Sequence, residues 1–409
     1  MILFDQAIAK ILREIKPLKP EAVKLSEALS RVLAEDLYSD CNIPGFNNSA
    51  MDGFALKAYD TRGASKDNPV FLEIIGNLKA GDVPKVIIKA KRAIRIMTGA
   101  PLPKGADSVV MIEDTGKIKG APHGAWGEII EVYKEVRAGE NIRKAAEDIR
   151  KGELVLRRGS LLKSAHIGVL ASLGRVKVKV TRRPKVAVLA TGDEVVGVGE
   201  KLKPGKIRSS NSYTLISQIL ECGGIPKNLG IAPDEPRQLE NKIRSGLDCD
   251  LILTSGGVSV GDYDLVKDTL AKMGTDIHFW KIAMRPGKPL VFGMIKGIPI
   301  FGLPGNPVSS MVSFEVFVRP AILKMLGRKD GLRQEVEAVL EMSVEKKKGL
   351  RYFLRAKTRW LQGKFVTDTT GPQGSGILKS MAQANSLLII PEGEVYIKKG
   401  SRATVRFFN

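Results

Sequence analysis

Apolar residues recur at helical spacing at the start of the chain, at Ile8, Ile11, Leu12 and Ile15, and the pattern stops at Pro17. A second periodic stretch, EAVKLSEALSRVLAEDL, extends the expectation of helix to about residue 41. From Asn42 the texture changes. Residues 42–138 hold short runs such as VFLEII, KVIIKA, SVVMIED and EIIEVY, separated by Gly, Pro, Asn and Asp, which predicts a β domain. Helix returns in KSAHIGVLASLG, with Ser164 as its cap and Gly174 as its close. Segments 1–41 and 139–175 therefore read as one elongated helical body interrupted by a β insertion.

The strict alternation of RVKVKV leads into the clearest pattern, residues 176–327. Here apolar runs (VAVLA, DLILTSGG, IPIFGLPGN) alternate with helical segments (NSYTLISQILECGG, PRQLENKIRSGL, DYDLVKDTLAKMG, VSSMVSFEVFVRPAI). This predicts a doubly wound, mostly parallel sheet with helices on both faces, and ligands bound beyond the carboxyl ends of its strands. After Gly327 the chain returns to alternating strands (EVEAVLEMSV, LRYFLRAKTRWL, KFVTDT, SLLIIP, ATVRFF), so 328–409 is expected to be a small barrel-like β domain. The fold class is α/β multidomain.

The chain has 409 residues and 43% hydrophobic content, enough for several cores. No stretch approaches the roughly 20 apolar residues of a membrane span, and Asp5, Lys10, Arg13 and Glu14 break the first apolar segment, so neither an anchor nor a signal peptide is expected. Cys41, Cys222 and Cys249 lie far apart, with only three histidines beside them, which speaks against a zinc site or a disulfide framework and fits a reducing, cytoplasmic setting. Lys and Arg number 65 against 44 Asp and Glu, a net charge of +21, and such a field draws in anions. The basic clusters KAKR, TRRPK and EKKKG are short and not interleaved with aromatics, which favours a small phosphorylated or oxyanionic ligand over nucleic acid.

Several segments could carry chemistry, and each also has a plainer reading. TSGGVSVGDYD sets Thr254, Ser255, Gly256 and Gly257 at a strand end and Asp262 and Asp264 just before a helix. Glycines admit an anion close to the backbone, a helix start offers free N–H groups, and an acidic pair beside the anion suits Mg²⁺. The same residues also make a turn and an N-cap. ATGDEVV ends likewise in Thr191, Gly192, Asp193 and Glu194, which could hold a cation or a ribose hydroxyl or serve only as a turn. FWKIAMRPGKP gathers Lys281, Arg285 and Lys288, either an oxyanion cradle or solvated cations. In IFGLPGNPVSS, Pro304 and Pro307 stiffen a strand-to-helix loop. NIPGFNNSAMDGFAL and RIMTGAPLPKGADSVVMIED read, by themselves, as structural loops.

Together these segments resemble the MoeA family of molybdopterin molybdenumtransferases and the homologous E domain of gephyrin. The resemblance rests on NNSAMDGFAL, RIMTGAPLPKGADSVVMIED, AGENIRKAAEDI, LATGDEVV, SSNSYTL, TSGGVSVGDYD, FWKIAMRPGKP and LPGNPVSS, in family order from about residue 42 to 320. It implies a four-part elongated subunit and a homodimer with sites formed between subunits. It also implies a reaction in which Mg²⁺ and molybdate, or tungstate of the same shape and charge, meet adenylylated molybdopterin, the metal enters the dithiolene and AMP leaves. Asp52, Thr98, Glu194, Asp234 and Asp264 match positions the family uses near its site, with Arg143, Lys281, Pro304 and Pro307 beside them. Asp264, with Glu194, is the expected Mg²⁺ ligand. Thr191, Ser255, Gly256, Gly257 and Lys288 join the substrate-binding set. Arg285 stands where many relatives have lysine, and Ser375 falls in GPQGSGILKSMAQAN, which matches the family only loosely. Contact with other cofactor-biosynthesis proteins is a further expectation. The rival readings are a pterin-nucleotide adenylyltransferase on the same α/β domain, or a non-enzymatic scaffold or RNA-binding protein.

Overall fold

The computed structural model describes residues 1–117, 127–258, 265–328 and 333–408. The chain divides into two compact units. One comprises Met1–Glu35, Arg158–Lys163 and Lys177–Asn409, and the other Asp36–Arg157 and Ser164–Val176.

The first unit is organised around a six-stranded sheet. Its strands are β1 (Lys185–Thr191), β2 (Ile225–Ala232), β3 (Leu251–Ser255), β4 (Asp276–Lys281), β5 (Pro289–Ile295) and β6 (Ile298–Leu303), in the spatial order β2-β1-β3-β6-β5-β4. The chain runs β1, α1 (Ser210–Glu221), β2, α2 (Pro236–Arg244), β3, α3 (Leu265–Lys272), β4, β5, β6, α4 (Pro307–Ser313). The inner strands β1, β3 and β6 are buried along nearly their whole length, which is why they read as continuous apolar runs. Alternate side chains serve opposite faces. Val186 and Val188 of β1 pack with Leu215 and Ile219 of α1 and Val308 and Val312 of α4, while Ala187 and Leu189 pack with Leu239 and Ile243 of α2 and Val266 and Leu270 of α3. The opening helix, Phe4–Glu14, adds Phe4, Ala7 and Ile11 to the α1 and α4 face.

The sheet is mixed and, as expected, mostly parallel. β2, β1, β3 and β6 run parallel, but β5 and β4 are antiparallel additions. The cause is a two-residue hairpin at Lys296-Gly297, where both residues take positive φ, 48° and 80°, and Ile295 pairs with Ile298. The strand PLVFGMI is absent from the sequence-based reading.

The second periodic stretch is not a helix. Pro20–Lys24 is a strand paired antiparallel with Lys177–Thr181, a short 3₁₀ turn covers Leu25–Glu27, and Ser30 has φ 61°. The alternating strand Lys177–Thr181 takes its partner from this stretch, while Val32 and Leu33 bridge Leu161 and Val180, so strand pairing overrides the helical spacing.

After Met325 the chain forms a closed five-stranded barrel. Arg351–Leu361 pairs with both Lys364–Thr369 and Ser386–Ile390, and Glu335–Leu340 and Arg402–Phe407 complete the ring. A short strand from the α/β domain, Met284–Arg285, pairs parallel with Arg351 and Tyr352 on its rim.

The second unit centres on a six-stranded sheet of Ser108–Met111, Gly53–Leu56, Arg92–Ile96, Val70–Leu78, Ile129–Val132 and Thr115–Lys117, in that order. Phe54 and Val110 anchor one core cluster, and Ala55, Ile94 and Val109 the other. Its helix, Ser164–Ser172, closes at Gly174, whose φ is 70°.

Candidate functional site

β1 lies between β2, to which the chain turns one way, and β3, reached the other way, so the carboxyl ends of β1 and β3 flank the topological switch of the sheet. A cavity of 130 Å³ opens there, lined by Thr191, Glu194, Asn211, Ser255, Gly256 and Pro307 among others. Close approach of strand ends shapes it. A Cβ on Gly256 would sit 2.4 Å from the Thr191 carbonyl oxygen, and one on Gly257 2.9 Å from Thr191 Oγ1; both residues have positive φ, 99° and 64°. Glycine is required at both positions by space as well as by backbone angle.

Several polar side chains reach the cavity, and two of their oxygens are unsatisfied. Asn211, in the first turn of α1, donates through Nδ2 to Ser255 Oγ and to the Gly305 carbonyl, both at 2.8 Å. It thereby ties the end of β3 to the loop after β6. Its Oδ1 is buried without a partner, and so is Thr191 Oγ1. Two buried oxygens left unpaired beside a cavity, at the start of a twelve-residue helix, are arranged to meet a ligand. The Ser255 hydroxyl lies 3.5 Å from the carbonyl of buried Pro304.

Glu194 is exposed at the rim, folded back so that a Cβ on Gly192 would lie 2.5 Å from its Oε2. Asp193 and Asp234 are occupied with each other's backbone: the Asp234 N–H donates to Asp193 Oδ1 at 3.0 Å, and the Asp193 N–H to Asp234 Oδ2 at 3.4 Å. Asp262 and Asp264 lie outside the described residues. Among the described residues no three His, Cys, Asp or Glu side chains form a metal-binding group. Mg²⁺ takes one or two carboxylates together with ligand and water oxygens, and the free carboxylate of Glu194 at this rim fits such a sparse donor set.

A larger cavity of 510 Å³ lies between the Arg285-Pro286 segment and the barrel. Arg285, Lys346, Lys347 and Arg355 surround it, with Tyr352 as its aromatic wall. The guanidinium carbon of Arg285 stands 5.5 Å and the Lys346 ammonium 5.2 Å from the Tyr352 ring centroid. Arg355 is fully buried without a carboxylate. It donates to Ser380 Oγ at 2.8 Å and to the carbonyls of Pro372, Gln373 and Gly374 at 3.0 to 3.2 Å, and burial alone pulls its pKa down. That loop also carries Ser375, whose carbonyl accepts from the Val308 N–H at the start of α4 at 3.1 Å. Lys281 and Lys288, grouped with Arg285 by sequence, line neither cavity.

In the second unit three loops converge. Asp52 Oδ1 accepts from the Thr98 N–H at 2.7 Å and its hydroxyl at 2.8 Å, and these bonds hold the carboxyl below the usual range, helped by Arg95. Arg143 pairs with Asn48 in a two-residue ladder, and Asn47 Oδ1 accepts from the Ala145 N–H at 2.8 Å. Asp52, Thr98 and Arg143 thus belong to one cluster, which the loops taken singly did not reveal. Sequence reasoning also missed Asn211 and Arg355. The polar triplet Ser209-Ser210-Asn211 before a helical run was a usable signal for the first, whereas nothing in LRYFLRA marks its second arginine as buried.

A doubly wound α/β domain with a switch-point cavity, extended by a closed barrel and joined to a separate β-rich unit, defines a multidomain ligand-binding protein. Its first 2–174 residues match the MoeA N-terminal region (domains I and II), residues 187–324 a probable molybdopterin-binding domain, and residues 337–408 the MoeA C-terminal region (domain IV). The chain is 37% identical over 407 residues to molybdopterin molybdenumtransferase 2 of Mycobacterium tuberculosis, covering 98% of this chain and 97% of that one. It is 37% identical to the molybdopterin molybdenumtransferase of Bacillus subtilis, covering 95% and 90%. The crystal structure of a molybdopterin biosynthesis MoeA protein from Pyrococcus horikoshii superposes with a TM-score of 0.84 at 34% identity, covering 100% of this chain and 99% of that one. The chain belongs to the MoeA family of molybdopterin molybdenumtransferases.

Proposed function

We propose that this protein is a cytoplasmic, homodimeric molybdopterin molybdenumtransferase that inserts molybdate or tungstate into adenylylated molybdopterin, with release of AMP. The observation that carries the reading is the switch-point cavity, where Thr191 Oγ1 and Asn211 Oδ1 lack partners beside glycine-lined strand ends. Asn211 and the start of α1 orient the nucleotide, and Gly256 lets its phosphate approach the backbone. Glu194, with Asp264 as the second carboxylate that the family resemblance implies, would hold Mg²⁺. When bound, that ion neutralises charge on the phosphates. Arg285, Lys346 and Lys347 form a cationic wall suited to the oxyanion. Asp52, held ionised by Thr98, belongs to a second polar cluster that a homodimer could use.

Purified protein supplied with adenylylated molybdopterin, Mg²⁺ and molybdate is expected to release AMP and yield active cofactor, and Asp264→Ala to abolish both while retaining its circular dichroism. Arg285→Ala is expected to raise the molybdate KM about 10–100-fold, the worth of one charge-assisted bond, with AMP binding unchanged. AMP release indifferent to oxyanion and metal would count against insertion chemistry. Light scattering that gives the 44.5 kDa monomer would remove the dimer from the reading.

A further inference from the structure

The cations around the 510 Å³ cavity are not held alike. Lys346 and Arg355 are buried, and the barrel fixes both through backbone carbonyls: Lys346 Nζ donates to the Leu350 carbonyl at 2.8 Å and to that of Glu392 at 3.3 Å, as Arg355 does to those of Pro372, Gln373 and Gly374. Arg285 comes from the other side, on the short Met284–Arg285 strand, and is exposed. Its guanidinium has one hydrogen-bond partner among the described residues, the Tyr352 hydroxyl, to which Nη1 donates at 3.4 Å. An exposed arginine otherwise samples many rotamers, and ordering it on binding costs entropy.

Tyr352 is itself rigid. It is 6% exposed, belongs to the barrel core, and lies on a strand whose backbone pairs Tyr352 with Arg285 on one side and with Ile390 on the other. Its ring takes two cations, the Arg285 guanidinium carbon 5.5 Å and the Lys346 ammonium 5.2 Å from the centroid. Its hydroxyl also accepts from the Lys347 N–H at 3.4 Å. One phenol thus contacts all three residues of the cationic wall. Packing in the barrel needs only the ring, so the hydroxyl is the part of this side chain that the core does not explain.

We propose that Tyr352 is a positioning residue for the oxyanion, holding the Arg285 guanidinium at the cavity through its ring and its hydroxyl before the anion arrives. This rests on the assignment of the Arg285 wall to the oxyanion made above. A guanidinium already held in place loses less freedom on binding, so the anion gains affinity from Tyr352 without touching it. The ring alone attracts the cation over a broad surface, whereas the hydroxyl fixes one edge of the planar fork and with it the direction of the remaining N–H donors.

Isothermal titration of the full-length protein with molybdate, run as a double-mutant cycle, tests the assignment. Tyr352→Phe keeps the ring and its packing and is expected to weaken molybdate about three- to tenfold, against about 10–100-fold for Arg285→Ala. Made in the Arg285→Ala background, Tyr352→Phe should change the affinity by less than about twofold, because a residue that acts through Arg285 then has nothing to hold. A merely structural tyrosine would weaken binding equally in both backgrounds, and that result overturns the proposal. Tyr352→Leu, which also removes the ring, should weaken molybdate further than Tyr352→Phe. Circular dichroism checks each fold, and Tyr352→Phe, which removes one oxygen, keeps the test open should Tyr352→Leu fail to fold. If Arg285→Ala weakens molybdate and Tyr352→Phe does not, positioning by the hydroxyl is refuted and the oxyanion wall stands. If Arg285→Ala leaves the affinity unchanged, or the unaltered protein binds no molybdate at millimolar concentration, the wall itself is refuted and the role of Tyr352 falls with it.

Discussion

Asp52 shows how one residue's surroundings set its chemistry. Two bonds from Thr98 favour its charged form, so its folded pKa is depressed below the ordinary value near about 3.9. A depressed carboxyl contributes stability above its unfolded pKa and loses it as pH falls through the folded one. The Asp52–Thr98 tie is therefore expected to open only below the usual carboxylate range. Thr98→Val keeps the backbone donor and removes the hydroxyl, and should move the Asp52 midpoint upward in a carboxyl carbon NMR titration; an unmoved midpoint would mean that the hydroxyl bond contributes nothing. The cysteines differ for a similar reason. Burial pushes the Cys222 thiol up to about 12, whereas Cys41 is exposed. A thiol-directed reagent at pH 8 should label Cys41 promptly and spare Cys222 until the protein unfolds, with labelled peptides read by mass spectrometry.

At the scale of elements, sequence pattern was most legible where burial is two-sided. VAVLA, LILTS and IPIFGL became β1, β3 and β6 because strands covered on both faces need apolar residues throughout. It failed where pairing partners are remote. Nothing local tells Pro20–Lys24 that Lys177–Thr181 will be its neighbour, and helical spacing alone points the other way. The site was legible in a similar measure. Thr191, Ser255 and Gly256 lie where strand-end logic put them, but Arg285 faces the barrel, because the Met284–Arg285 strand pairs with a segment 67 residues away. Capping chemistry is local and therefore predictable. Glu235 accepts from the N–H groups of Arg237 and Gln238 ahead of α2, and Glu235→Ala should lower the opening free energy of that helix by about 1 kcal/mol in hydrogen exchange, leaving the β3 amides unchanged.

For the whole molecule, the net charge of +21 acts on every anionic ligand before any pocket does. Raising salt from about 0.01 M to 1 M shortens the screening length from roughly 30 Å to 3 Å, so the association rate of the anionic substrate should fall steeply while dissociation changes little. Stopped-flow binding of an adenine nucleotide across that range checks this; a flat association rate would show that surface lysines play no part in capture. Charge balance was readable from composition alone, but the way it is spent was not. The buried arginines of the barrel, Arg355 and Arg406, are indistinguishable in sequence from solvated ones, since burial belongs to the folded chain.

The strand Met284–Arg285 belongs to the α/β domain by chain order and to the barrel by hydrogen bonding. A truncated protein ending at residue 328 would keep every strand and helix of the central sheet, yet its MRPGKP segment would lose the rail that fixes it. On the function proposed above, such a fragment is expected to keep the switch-point cavity and to lose the cationic wall between Arg285 and the barrel, which would make the barrel a part of the site and not a detachable tail.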